Sequence, residues 1–166
     1  MILNTGGRTD TVQYYADWLL RRFREGYVLS RNPLFPHKVT RYELTPEQVD
    51  CVVFCSKNYA PILPRLHEIT DRFPTYFYYT ITAYGRDIEP GVPSLEASME
   101  TLLQLSRQVG RQRLAWRYDP VLLTANYNRK CNSRRKRPTG RQQSGRIRES
   151  IKTYHQRRPS CELPPS

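Results

Sequence analysis

The sequence predicts a mixed α/β fold: about four parallel strands with flanking helices over residues 1–128, the N-terminal half of a (β/α) barrel, followed by a basic, disordered tail over residues 129–166. Three observations predict it. Strand-like and amphipathic helical stretches alternate at about 30 residues per unit, the order of a parallel sheet with right-handed crossovers. The second main strand, Cys51-Val52-Val53-Phe54-Cys55, is apolar on both parities, as a strand buried on both faces reads. After Asn128 the periodicity stops: Arg134-Arg135-Lys136-Arg137 leads into Gly, Gln, Ser, Pro and more Arg, with isolated apolar residues that cannot bury a face.

Ile2 to Thr5 is a short extended run broken by Gly6-Gly7. Asp10 with Gln13 makes a capping box for a helix near residues 12–25, with Val12, Tyr15, Leu19, Leu20 and Phe23 on one face. Arg21, Arg22 and Arg24 suit the negative end of its dipole, and Gly26 supplies the stop. Tyr27 to Ser30 and Lys38 to Leu44 are extended and flank a Pro-containing loop, the pattern of a hairpin-like insertion; Thr45-Pro46-Glu47 starts a short helical turn. Pro61 to Thr70 is expected to be helical, Thr75 to Thr82 a strand, residues 94–109 a helix capped by Ser94 and ended by Gly110, and Arg113 to Tyr118 the fourth main strand.

A length of 166 residues suits one domain. The net charge of +12 is unevenly placed: 12 of the 27 Lys and Arg, but only 2 of the 15 Asp and Glu, lie from Arg129 to Ser166. The folded part is therefore close to neutral. A basic tail can contact phosphates by counterion release, but such charge runs are more often solvated segments, so nucleic acid is not the favoured partner. No apolar stretch is long enough to span a bilayer. Met1-Ile2-Leu3-Asn4-Thr5 has neither a basic n-region nor an apolar h-region, so the expectation is a cytoplasmic protein with four reduced cysteines.

The unusual polar groups fall at strand ends. Gly7-Arg8-Thr9-Asp10 follows the first strand, Ser56-Lys57-Asn58 the second, Tyr84-Gly85-Arg86-Asp87 the third, and Arg117-Tyr118-Asp119 ends the fourth. These are C-terminal strand ends, the face on which (β/α) barrels build their sites. Arg8, Asp10, Lys57, Asn58, Arg117 and Asp119 are thus candidates for a rim that holds a small-molecule or anionic ligand. Taken singly, each is as readily a cap or turn residue. Arg8, Lys57 and Arg117 together are harder to explain so, because three cations on one rim repel unless an acid or anion lies between them.

Cys51 and Cys55 read as reduced core residues, since free Cys packs as a small hydrophobe. Cys131 and Cys161 have no ligand-like neighbours, and His37, His67 and His155 are scattered. No metal site is expected. The HExxH, GxSxG and P-loop patterns do not occur, which leaves the hydrolases and NTPases that depend on them unsupported.

Gly7-Arg8-Thr9-Asp10 with Tyr14-Tyr15, Arg31-Asn32-Pro33, Asp50 to Asn58, Tyr84 to Pro90 and Trp116-Arg117-Tyr118-Asp119-Pro120 resemble, in order, five blocks of the bacterial family called domain of unknown function 1848. The resemblance runs from the first residue to about Tyr127. It implies a radical-SAM-like TIM barrel, longer than this chain, whose C-terminal cysteine cluster, Cys-x-x-x-Cys-x-Tyr-Cys, holds an iron–sulfur centre. That cluster is absent from this sequence. An iron–sulfur cluster and S-adenosylmethionine are therefore implied only for full-length members, and no cofactor is expected on this chain.

Three functions follow as expectations. The first is a truncated member of an uncharacterised radical-SAM-like enzyme family, inactive alone, with a tail produced by a frameshift. The second is a nucleic-acid-binding protein acting through its tail. The third is a small α/β binding module.

Overall fold

The computed structural model describes residues 1–82 and 84–124, and the basic segment after Asn128, with the fate expected for it, lies outside the described residues. Strand β1 (Ile2–Asn4) is followed by helices α1 (Thr11–Tyr14) and α2 (Ala16–Glu25). A hairpin of β2 (Tyr27–Arg31) and β3 (Val39–Glu43) precedes β4 (Cys51–Ser56), α3 (His67–Thr70), β5 (Thr75–Thr80), α4 (Leu95–Val109) and β6 (Leu114–Arg117). The main sheet has the order β1-β4-β5-β6 with every pair parallel. This is the mixed α/β architecture with four parallel strands and flanking helices that the sequence predicts.

Parallel register sorts the side chains into two faces. Leu3 lies beside Val52, Phe54 beside Phe77 and Leu114, and Tyr79 beside Trp116. These residues belong to the core or pack against it, with Val12, Leu19, Leu20 and Phe23 from α1 and α2, Ile69 from α3, and Leu102, Leu105 and Val109 from α4. Phe54 and Phe77 are fully buried and stack with centroids 4.8 Å apart. The residues of opposite parity, Ile2, Cys51, Val53, Cys55, Tyr76, Tyr78 and Arg117, form a second face that is only partly covered; Ile2 is 73% exposed and Tyr78 36%. The apolar pattern of β4 predicts two covered faces, and only the face carrying Val52, Phe54 and Ser56 is fully buried.

Helical stretches differ from the expectation in two places. The helix expected near 12–25 is broken at Tyr15, whose φ of −136° and ψ of 33° leave the helical region and whose side chain, expected on the apolar face, is exposed. The 61–70 segment holds a 3-10 turn over Leu63–Arg65 before α3, because Pro64 lacks the N–H that a continuous α-helix would use. At the other ends the sequence signals operate as expected. Ser94 Oγ accepts from Ala97 N at 3.2 Å, and Gly26 closes α2 in the left-handed region, φ 78°, with its N–H on the Arg22 carbonyl.

Candidate functional site

The C-terminal ends of β1, β4, β5 and β6 lie side by side because their strands are parallel neighbours. Gly6 lets the chain leaving β1 cross close over β4: a Cβ there would sit 2.7 Å from the Cys55 carbonyl oxygen and 2.8 Å from its Cβ. That approach carries Asp10 to the end of β4. Its Oδ1 accepts from Gln13 N at 2.9 Å, capping α1, and from Ser56 Oγ at 2.8 Å; its Oδ2 accepts from Lys57 N at 2.9 Å. The Gln13 side chain does not return the bond as a capping box would. It donates instead to the Gly91 carbonyl, tying α1 to the loop after β5.

Lys57 Nζ pairs with Glu89, which also accepts from Thr82 Oγ1. Both members of the pair are largely shielded, Glu89 at 13% exposure of its side chain. A cavity of about 50 Å³ beneath this loop is lined by Thr82, Glu89 and Ser98 among others, room for a water or two. Asn58 closes the β4 end locally, its Oδ1 accepting from Ala60 N and its N–H donating to Ser56 Oγ.

Arg117 is half-buried on the partly covered face, beside Thr80 in register, with Nε donating to Thr80 Oγ1 at 3.2 Å. Its terminal nitrogens have no partner among the described residues. Cys55 lies near enough for both charges to act on it: burial pushes the thiol up, Arg117 pulls it down, and Asp10 pushes it up. Tyr59, fully buried, donates its hydroxyl to the Tyr78 carbonyl at 3.0 Å and is pushed well above the ordinary phenol range, by burial first and then by Cys55 and Asp10.

Asp10, Lys57 and Asn58 therefore meet at the end of β4, and Arg117 stands two strands away, with both the Asp10 and the Arg117 charge acting on Cys55. Arg8 turns outward, its Nη2 donating to the Arg31 carbonyl on the hairpin at 2.8 Å, and Asp119 is exposed beyond β6. Sequence reasoning missed Cys55, Ser56, Thr82 and Glu89 as members of this group. The signal for Glu89 was its place in the loop after β5: a shielded lysine after β4 needs a nearby carboxylate.

The iron–sulfur cluster implied by the resemblance does not fit the described residues. Cys51 and Cys55 lie on one face of β4, about 13 Å apart at strand rise, too far to ligate one cluster. No group of three or more His, Cys, Asp and Glu that could hold a metal occurs among the described residues. None of the described helices is long and apolar enough to cross a membrane.

No curated protein and no solved structure matches the chain. A family model does, over residues 2–157, extending past residue 128 into the basic segment. The match covers most of the sequence, and the chain belongs to the family described as Domain of unknown function (DUF1848).

Proposed function

We propose that the described residues form the first half of a (β/α) barrel whose strand-end rim binds a small anionic ligand, a carboxylate or a phosphate, with Arg117 as its anchor. The guanidinium of Arg117 carries this reading: half-buried at the end of β6, it uses only Nε among the described residues. A planar fork of donors matches a carboxylate or phosphate in two-point contact. Lys57 is paired with Glu89, whereas Arg117 has no ion pair among the described residues. Asp10 and Asn58 hold the β4 end in place, and Arg8 and Asp119 border the rim. The position agrees with the rule that parallel sheets bind ligands outside the carboxyl ends of their strands. The order β1-β4-β5-β6, with β1 and β6 as outer strands, supports the barrel reading.

The finer reading, a piece of a radical-SAM-like enzyme, rests on the resemblance alone. What the described residues supply is ligand binding. The test is thermal unfolding of the full chain titrated with inorganic phosphate and, separately, succinate at constant ionic strength. A saturable stabilisation is expected, with apparent affinity reduced about tenfold or more in Arg117→Gln. No saturable stabilisation by either anion, or an equal response of Arg117→Gln and the unaltered chain, overturns it.

A further inference from the structure

The β2–β3 hairpin stands apart from the main sheet as a two-stranded sheet of its own, and all five residues of β3 are exposed. Two-stranded hairpins are marginal in water, and an open edge is a template for another strand unless charged side chains, lysine above all, proline or a bulge blunt it. Val39-Thr40-Arg41-Tyr42-Glu43 contains neither lysine nor proline, and its two charges, Arg41 and Glu43, are of opposite sign, so they repel a partner strand only in the wrong register.

The register identifies which backbone groups the edge offers. Asn32 N donates to the Lys38 carbonyl and Leu44 N to the Gly26 carbonyl, so the hydrogen-bonded pairs of the hairpin include Ser30 with Thr40 and Val28 with Tyr42. By alternation, Val39, Arg41 and Glu43 turn their N–H and C=O groups to the outer edge, where no described residue meets them.

We propose that this edge docks a second copy of the chain: two β3 strands pair antiparallel about a two-fold axis at Tyr42, joining two hairpins into one four-stranded sheet. Charge selects both the occupant and the register. Centred on Tyr42, the pairing sets Arg41 opposite Glu43 of the second copy, twice by symmetry, and makes these the hydrogen-bonded pairs. Centred on Arg41 it would set two guanidiniums face to face, and centred on Thr40 it would set Arg41 against Val39. Opposite charges across an antiparallel pair stabilise it and like charges destabilise it. The contact is isologous, so it closes as a dimer. Within one molecule Arg41 already holds Glu43 at 2.7 Å, but both side chains are about half exposed, and such a pair is readily exchanged for one between molecules.

The experiment is sedimentation equilibrium and amide hydrogen exchange on the full chain. A concentration-dependent dimer is expected, with the Arg41 and Glu43 amides gaining protection as it forms. Arg41→Glu and Glu43→Arg should each weaken self-association about tenfold by replacing two opposite-charged pairs with two like-charged ones. Mixed together, the two variants should form a heterodimer, because each then meets opposite charge, and the double exchange R41E/E43R should dimerise as the unaltered chain does. The heterodimer also shows that both variants fold. A monomer at every concentration, protection of these amides that is independent of concentration, or single variants that self-associate normally would overturn the proposal.

Discussion

Cys55 feels two charges of opposite sign, Arg117 and Asp10, and burial holds its thiol above the ordinary range. A raised pKa means less thiolate at any given pH. Iodoacetamide labelling of Cys55 should therefore be slow at neutral pH and rise with a midpoint above that of a free thiol. Arg117 pulls the thiol down, so Arg117→Gln should slow labelling further and move the midpoint higher. Peptide mass spectrometry across a pH series reads both, and an unchanged midpoint in the variant would remove Arg117 from the neighbourhood of the thiol. Asp10 does different work. It accepts from the Gln13 and Lys57 N–H groups and from the Ser56 hydroxyl, so Asp10→Ala should cost about 2 kcal/mol of stability in denaturant unfolding. The six rim candidates were legible as polar groups at strand ends, but their partners were not. Glu89 reaches Lys57 only because the loops after β4 and β5 are brought together by parallel pairing. Cys55 reads as core because a strand apolar on both parities does not say which face is covered.

At the scale of elements, the strands were legible because their apolar runs are short and bounded by Gly, Pro and polar clusters. The helix breaks were not. Val12, Leu19, Leu20 and Phe23 are buried across the interruption at Tyr15, so the hydrophobic period carries no trace of it. Pro64, in contrast, left a readable signal that permitted either a helix start or a 3-10 turn. The crossing of the post-β1 chain over β4 is an element-scale constraint resting on a missing Cβ. Gly6→Ala would press a methyl against the Cys55 carbonyl, so it should destabilise by about 2 to 3 kcal/mol, whereas Ser94→Ala, which loses only the cap of α4, should cost about 1 kcal/mol. Equal costs in chemical denaturation would mean that β1 yields to the added methyl.

Across the whole molecule, the main sheet separates a packed face from a partly covered one, and neighbouring residues of one strand report on the two. Phe77 is fully buried against Phe54 and Tyr59, while Tyr78, the next residue of β5, is 36% exposed on the opposite face and meets Tyr76 at 5.2 Å. Phe77→Ala should cost about 3 to 5 kcal/mol, a large core side chain lost to a cavity that the stacked rings cannot close. Tyr78→Thr keeps β-strand preference and removes a ring that faces largely outward, so it should cost about 1 kcal/mol or less. The carbonyl through which Tyr78 receives the Tyr59 hydroxyl belongs to the backbone and survives the change. Urea unfolding of both variants in the full chain reads the contrast directly. Near-equal costs would mean that the second face is packed as tightly as the first, and a parallel sheet covered on both sides would then replace the half-open one.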